Sequence, residues 1–335
     1  MSRQARARVT TNSEKLQMPL ANKELLYYDH EVLRLPADKR KEYHEQVDRL
    51  VGELSQSLKD KAEIKVTRVV KAGSFAKHTI LRKTNDDPVD VDVVFYIDGK
   101  DIGTETLKSL GDTIYDLLIK QYPNKSVSDF QIQRRAATVE FIGSGLAVDI
   151  VPVIQMPSNP DYGWQYDLAD GSRNLTSAPG QIKFVRDRKN ADGNFRTLVR
   201  LGKRWRRHTE VPGLKSFHIE LVIAHLLEVN GNVGSIEQRF LDFLLFLAQD
   251  KLKPRIDFQE NRGYPQVAFN DPVVVVDPVS NGNNTTARIT DTERLEIANI
   301  AQNSWETAYT ASMEDDVDQW KEIFGPRFRV KDKEQ

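Results

Sequence analysis

Residues 89–97 read VDVDVVFYI, a β-branched and aromatic run that predicts a β-strand. Residues two apart on a strand point to the same face, so Asp90 and Asp92 project together while Val91 and Val93 point into a core. Two neighbouring carboxylates on an apolar strand repel each other, and burying them is costly unless a cation or several donors compensate them. Magnesium is the simplest compensation, because this hard ion takes carboxylate and phosphate oxygens. The strand is therefore a candidate metal site.

A third acid stands alone in an apolar run further along the chain. Asp149 is the single charge in GLAVDIVPVI, residues 145–154, which we predict to be the second strand of a β-hairpin. The first strand is predicted over 132–142, and Gly143-Ser144-Gly145 forms the turn. This hairpin can pair beside the 89–97 strand, but the sequence alone leaves the strand order open. Since three carboxylates are the usual minimum for two divalent ions in phosphoryl transfer, we expect a site for two Mg²⁺ ions.

Upstream of the first two acids, the chain reads KAGSFAKHT over residues 71–79, at the end of a strand-like run. Glycine allows the backbone to come close to a phosphate, and serine adds a hydroxyl donor beside exposed backbone N–H groups. We therefore predict that Gly73 and Ser74 form a phosphate-holding turn.

A basic helix further along the chain supplies a second set of candidates. In FRTLVRLGKRWRRHTE, residues 195–210, four cations follow helical spacing opposite an apolar face: Arg196, Arg200, Lys203 and Arg207. Such a stripe can cap a triphosphate, or it can be an ordinary solvated face. The next helix is predicted to begin near Ser216, whose donor-rich first turn can meet the same polyphosphate as Lys203.

The 335 residues are enough for two domains. Residues 1–20 are basic and polar and predict a flexible arm. We expect an α+β fold in which residues 21–165 form a mixed-sheet lobe with an N-terminal helix, and residues 166–330 form a mainly helical lobe. The division rests on a Pro-, Gly-, Asn- and Ser-rich stretch at 157–179. Helical periodicity predicts a long helix opening at Pro36-Ala37-Asp38, and further helices over 102–121, 180–188, 195–208, 216–228, 235–249 and 291–313.

Composition excludes several classes of protein. The chain has no cysteine, so neither a disulfide framework nor a thiolate metal site is available. The net charge of −1 does not indicate a long nucleic acid as the main partner, although such contact is compatible with the basic arm. No run of about 18 apolar residues predicts a membrane span. The histidines lack metal-ligand spacing, and His218 and His225 are expected in a core or between lobes. We expect a cytoplasmic protein with no membrane partner.

Several stretches together resemble the bacterial cGAS/DncV-like nucleotidyltransferases (CD-NTases), the enzymes of CBASS antiphage systems. They are GSFAKHT, VDVDVVFYI, GSGLAVDIVPVI, LVRLGKRWRR, LKSFHIE and DPVSNGNNT. The resemblance implies a bilobal, polymerase-beta-like fold with a long N-terminal helix that spans both lobes, and nucleotides bound in the cleft. It also implies the role of each matching position. Asp90, Asp92 and Asp149 match the catalytic and metal-binding acids, and the matching nucleotide-binding residues are Gly73, Ser74, Lys203 and Ser216.

The same resemblance implies a reaction. The ribose hydroxyl of one nucleotide attacks the α-phosphorus of a bound nucleoside triphosphate, ATP being the expected substrate, and repetition with ring closure makes a cyclic oligonucleotide second messenger for antiphage defence. Other nucleoside triphosphates are further candidate substrates, and a regulatory protein is a candidate partner, since some relatives need one. One alternative is a nucleotidyltransferase that acts on an RNA end, a protein or a small molecule. An alternative of another class is a binding module that senses RNA or nucleotide without turnover.

Overall fold

A computed structural model describes residues 20–82, 88–100, 104–167, 171–314 and 316–331, and for 104–108 it describes the backbone only. The predicted basic arm lies outside these residues except for Leu20. No helix in the described ranges is both long enough and apolar enough to cross a bilayer.

The described chain forms a mixed β-sheet of seven strands. The strands are β1 (Val66–Lys71), β2 (Val89–Ile97), β3 (Phe130–Ile132), β4 (Ala137–Phe141), β5 (Leu146–Met156), β6 (Asn159–Tyr166) and β7 (Arg173–Thr176). Their spatial order is β1-β2-β5-β4-β3. The far half of the long strand β5 pairs with β6, which pairs with β7. Only the β2–β5 pair is parallel, and the other pairs are antiparallel.

The predicted hairpin forms between β4 and β5, and β5 lies directly beside β2. The prediction of one strand over 132–142 was wrong, because β3 ends at Ile132 and the chain turns before β4 begins at Ala137. Gln133 N donates to Ala136 O across this turn, at 2.8 Å. The two arginines at its tip, Arg134 and Arg135, interrupt the apolar alternation at this point.

Two helices cover one face of the sheet: α2 (Ala37–Ala62) and α4 (Thr104–Gln121). The apolar residues of α2 recur with helical spacing and are buried against α4 and the inward-facing valines of β2. The helix begins directly after Pro36, as predicted, and ends where Glu63 adopts a left-handed conformation with φ of 55°. Together these elements form the core of the sheet lobe.

The second lobe is helical and has a core of its own. A short two-stranded sheet, β8 (Val276–Asp277) and β9 (Ser280–Asn284), lies in its irregular stretch. Five of its helices match the predicted segments closely: α5 (Ala178–Ala191), α6 (Phe195–His208), α7 (Ser216–Asn230), α8 (Ile236–Gln249) and α9 (Asp291–Glu314). The short α10 (Trp320–Phe324) was not predicted.

The predicted single N-terminal helix is two helical segments. The first, α1 (Asn22–Tyr28), continues through a π-helical turn at Asp29–Leu33, and the chain then breaks before α2. Proline disfavours helical backbone in the residue before it, which explains the break at Leu35-Pro36. Leu25 and Tyr28 pack in the core of the helical lobe, whereas α2 packs in the sheet lobe. The span between lobes is therefore made by two consecutive segments.

The division between the lobes also differs from the prediction. The stretch at 157–179, interpreted as a boundary from its composition, contains β6 and β7, so the sheet continues to Thr176. The helical part begins with α5, for which Ser177 is the N-cap. Pro160 and Gly163 lie in β6, whereas Pro157 lies in the turn before this strand and Pro179 in the first turn of α5.

Candidate active site

The three predicted acids lie on two neighbouring parallel strands. Asp92 on β2 stands opposite Asp149 on β5 in the strand register, and Asp90 follows one strand repeat away on the same face as Asp92. Asp90 is exposed, Asp92 and Asp149 are half-buried, and Val91 and Val93 between them are fully buried. The alternation predicted from VDVDVVFYI is therefore confirmed, and the strand order brings the third acid to the first two.

The electrostatics of the acids reflect this crowding. Burial raises the pKa of Asp92 to about 6, and the negative charges of Asp149 and Asp90 contribute to this increase. The positive charge of Lys77 opposes the increase only in part. Burial also raises the pKa of Asp149, against the effect of a hydrogen bond of 2.6 Å from Thr138 Oγ1. Negative charge at this edge of the sheet is thus under-compensated by the protein.

These groups fit a divalent ion by their chemistry, since clustered carboxylate oxygens are the ligands that Mg²⁺ prefers. The fit is not one of finished geometry. Among the described residues, no three histidine, aspartate or glutamate side chains are already arranged to hold a metal ion.

The predicted phosphate turn directly follows β1. Ala72 N donates to Asp92 O at 2.8 Å, and residues Gly73–Ala76 form one short helical turn, α3. Gly73 has φ of +56°, and a Cβ at this position would lie 1.7 Å from Asp92 Oδ2. Only glycine lets the turn approach the acid so closely. Behind it, Thr79 N and Ile80 N donate to Ser74 O, which closes the loop.

A small cavity of about 80 Å³ joins the phosphate turn to the helical lobe. We call it the donor cavity. It brings together four of the seven predicted residues, two from each lobe: Ser74, Asp90, Lys203 and Ser216. Arg206 and Arg207 also line it, and Arg206 is a cation that the sequence prediction missed. The side chains around this cavity offer hydroxyl and cationic donors beside an acid, as a phosphate chain with a metal ion requires.

Lys203 is almost fully buried at the contact of the two lobes. It donates to Thr79 Oγ1 at 3.0 Å and to Thr79 O at 3.2 Å, and burial lowers its pKa to about 8. Beside it, Lys77 donates to Glu220 Oε1 at 2.6 Å, and both of these side chains are buried. The sequence prediction missed Lys77 and Glu220. A lone glutamate in the apolar FHIELV stretch was the available signal.

The basic stripe predicted on α6 is not one surface. Arg200 is buried and ion-paired with Asp29, and its Nη1 donates to His78 O at 2.5 Å. It therefore holds the lobes together and is not available to a triphosphate. Arg207 and Lys203 line the donor cavity, while Arg196 lines a different cavity. Helical spacing places these cations near one another on α6. The groups that each side chain contacts depend on the residues packed against the helix.

A larger cavity of about 530 Å³ lies on the other side of Gly73 and Asp92. Thr176, Asp277 and Asn283 line it, so the predicted DPVSNGNNT stretch contributes to the cleft. His218, expected in a core or between lobes, is buried, and its Nε2 lies 3.0 Å from Thr285 O. Burial lowers the pKa of His218 to about 4, so this residue is neutral and structural.

Acids on adjacent strands of a mixed sheet, a glycine-serine turn against them and a cationic helical lobe across a cleft define a nucleotidyltransferase. Comparison with known proteins agrees. The model of the Second Messenger Oligonucleotide or Dinucleotide Synthetase domain (SMODS) matches residues 31–187. The CBASS oligonucleotide cyclase CdnC of Escherichia coli (strain KTE188) is 60% identical over 315 residues, which cover 94% of this chain and 99% of that relative. The chain belongs to the cGAS/DncV-like nucleotidyltransferases of CBASS systems, as an oligonucleotide cyclase.

More distant relatives extend this comparison. The cyclic AMP-AMP-AMP synthase of Escherichia coli (strain MS 115-1) is 33% identical over 92% of this chain and 98% of its own. The solved structure of E. coli MS115-1 CdnC with ATP has a TM-score of 0.78 at 32% identity, covering 93% of this chain and 99% of that one. A complex of the same CdnC with HORMA-deltaN has a TM-score of 0.77 at 32% identity, covering 92% and 98%. GTP-bound DncV of Vibrio cholerae, at 14% identity, a TM-score of 0.66 and coverage of 92% and 96%, supports the fold alone.

Proposed function

We propose that the chain joins ATP into a cyclic oligoadenylate in the cytoplasm, using Asp90, Asp92 and Asp149 with two Mg²⁺ ions. The observation that carries this proposal is the in-register pair of Asp92 and Asp149 beside Gly73, with Asp90 in the donor cavity. Bound at these acids, two divalent ions would neutralise charge on the attacking and leaving oxygens.

The acids differ in what surrounds them, and this suggests different roles. Asp149 is half-buried, held by the Thr138 hydroxyl, and its pKa is raised by burial. Asp149 lies opposite Asp92 on the neighbouring strand, so we assign it the role of helping to activate the attacking ribose hydroxyl. Asp92 lies between Asp149 and the Gly73 turn, where attacking and leaving groups meet. Asp90 opens on the donor cavity and faces the phosphates.

The triphosphate of the donor is proposed to occupy the donor cavity. Ser74, directly after Gly73, lines it from the sheet lobe, and Lys203 and Ser216 line it from the helical lobe, with Arg206 and Arg207 nearby. Pyrophosphate leaves toward these cations, which stabilise its negative charge. The acceptor nucleotide is placed in the larger cavity on the other side of Gly73 and Asp92.

The relatives support the choice of ATP and of a partner. One relative at 33% identity is a cyclic AMP-AMP-AMP synthase, and the matching CdnC structure contains ATP. The complex of that CdnC with HORMA-deltaN supports a HORMA protein as the regulatory partner of this chain.

The experiment is an incubation of the full chain with Mg²⁺ and each nucleoside triphosphate alone or in mixtures, with and without the candidate HORMA partner. Products are treated with phosphatase and identified by mass spectrometry. We expect ATP alone to give a phosphatase-resistant cyclic oligoadenylate. A product that requires another nucleotide would contradict the choice of ATP. Label transferred to RNA or protein would favour the alternative acceptors, and nucleotide binding without turnover under every condition would favour a sensor.

A further inference from the structure

A second large cavity, of about 800 Å³, lies at the break between α1 and α2. Its lining comes from this break, from residues 78–82 and from α5 and α6. We call it the arginine cavity after the six cations that line it: Arg34, Arg40, Arg82, Lys189, Arg196 and Arg200. It shares only Ile80 with the lining of the donor cavity.

The acids that face this cavity do not balance its cations. Glu31 is the one acid in its described lining, and it lies 2.7 Å from His30. Asp29, behind the lining, pairs with Arg34 and Arg200. Among the described ion pairs, none involves the other four cations, which are Arg40, Arg82, Lys189 and Arg196. Among the described residues, the cations that face this space therefore outnumber the acids.

Lowered pKa values and a buried donor without a partner indicate that placing these cations together costs free energy. Burial and the neighbouring Arg200 and Arg34 lower the pKa of Arg196, and burial and Arg196 lower that of Arg40. Burial and three arginines lower the pKa of His78 to about 4. Arg196 Nε is buried without a hydrogen-bond partner in the described structure. A buried donor without a partner costs free energy, which a bound anion would recover.

The size and lining of the cavity indicate the class of anion. Guanidinium groups bind phosphate through two parallel N–H donors, and several of them converge here. The described lining contains no phenylalanine, tyrosine or tryptophan on which a base could stack. Recognition would therefore rest on phosphate. We propose that the arginine cavity binds a small molecule with two or more phosphate groups, at a site separate from the catalytic one.

The cavity is also connected to the phosphate turn by hydrogen bonds. Arg40 Nη2 donates to Phe75 O at 2.5 Å, and Arg200 Nη1 donates to His78 O at 2.5 Å. His78 has a left-handed φ of 59°, which is uncommon for a residue with a side chain. The segment held from one side by these arginines therefore carries Ser74 and Thr79 on the other, at the donor cavity.

The test measures binding of inorganic tripolyphosphate to the full chain by calorimetry, in the presence of EDTA. Without a divalent ion the three acids repel phosphate at the catalytic site, so binding there is suppressed. We expect binding to the wild type, and a loss of affinity of about tenfold or more in Arg196→Gln and in Lys189→Gln. Lys189 is exposed, so its substitution leaves the fold intact. Arg49→Gln, an exposed site on α2 away from the cavity, is the matched control and should bind like the wild type.

Equal affinity in all four proteins, or no binding to the wild type, would overturn the proposal. ATP in EDTA should compete for this site about as well as tripolyphosphate does, because the proposed recognition rests on the phosphate groups. A short DNA duplex whose binding depends on Arg196 and Lys189, with no binding of tripolyphosphate, would also overturn it and assign the cavity to nucleic acid. Since no turnover is measured, these outcomes are independent of whether the proposed synthesis of oligoadenylate is correct.

Discussion

At the scale of single residues, Gly73 sets how closely the phosphate turn approaches Asp92. A methyl group at this position would overlap Asp92 Oδ2, and the backbone φ of +56° disfavours any side chain. We expect Gly73→Ala to lower cyclase activity at least about 100-fold, since a displacement of about 1 Å at reacting groups can cost this much. The measurement is the initial rate of pyrophosphate release from ATP.

The matched control is Gly52→Ala. Gly52 lies inside α2 with no atom within 4 Å of an added Cβ, so alanine should leave activity unchanged and stabilise the helix by about 0.5–1 kcal/mol. If Gly73→Ala were as active as Gly52→Ala, the close approach of the turn to Asp92 would not be needed for activity.

The raised pKa of Asp92 makes a prediction about stability. Because this pKa is about 6 in the folded protein, above its ordinary value near 4, the folded state binds the proton more tightly. Asp92 therefore costs no stability below about pH 4 and costs its full amount above about pH 6. In EDTA, Asp92→Asn should gain free energy of unfolding relative to the wild type between these values, by about 1–3 kcal/mol. Urea unfolding across this range measures it, and a difference that does not change with pH would contradict it.

At the scale of the elements, local pattern predicted the helices well and interrupted elements poorly. The 195–208 segment begins and ends where α6 does, because its apolar residues recur with helical spacing and the flanking residues end the pattern. The start of α2 after Pro36 was predicted, but the local pattern did not predict the separate helical segment before it, from Asn22 to Leu33. The turn between β3 and β4 was missed because the apolar residues on both sides were interpreted as one strand, despite the two arginines between them.

Helix α6 also shows why roles on one face can differ. Arg200 and Lys203 are one turn apart, but Arg200 meets Asp29 and Lys203 meets Thr79 at the donor cavity. Since the pKa of Lys203 is about 8, its charge is lost as the pH rises through that value. The affinity of the chain for Mg-ATP should therefore fall more between about pH 7 and about pH 9 than that of Lys203→Arg, which keeps its charge. Parallel slopes in the two proteins would exclude Lys203 from the phosphate site.

At the scale of the whole molecule, two separate cores meet through buried polar contacts. Lys77 of the sheet lobe and Glu220 of the helical lobe form an ion pair with both side chains buried, beside Lys203. Glu220→Gln removes the carboxylate that pairs with the buried Lys77 and lies near Lys203, so we expect a loss of about 3–5 kcal/mol, measured by thermal or urea unfolding. Glu296→Gln, at an exposed site on α9, should change stability by less than about 0.5 kcal/mol. Similar stabilities in the two variants would contradict a structural role for the pair.

Contacts between the two lobes were the feature that the sequence predicted least. The three acids and Gly73-Ser74 are recognisable because each breaks a local rule, such as a lone charge in an apolar strand. Glu220 and Lys77 break the rule too, but nothing in the chain says that residues 143 positions apart will meet. The division of the lobes was misplaced because strands at a sheet edge have the composition of a linker.

The most direct test of the central claim is the rate of pyrophosphate release from Mg-ATP by Asp149→Asn, under conditions in which the wild type forms product. Asp161→Asn, an exposed aspartate on the same sheet, is the matched control. We predict that the control keeps the wild-type rate and that Asp149→Asn falls at least about 1,000-fold with ATP binding retained. Equal rates in the two variants would show that the acid paired with Asp92 takes no part in catalysis.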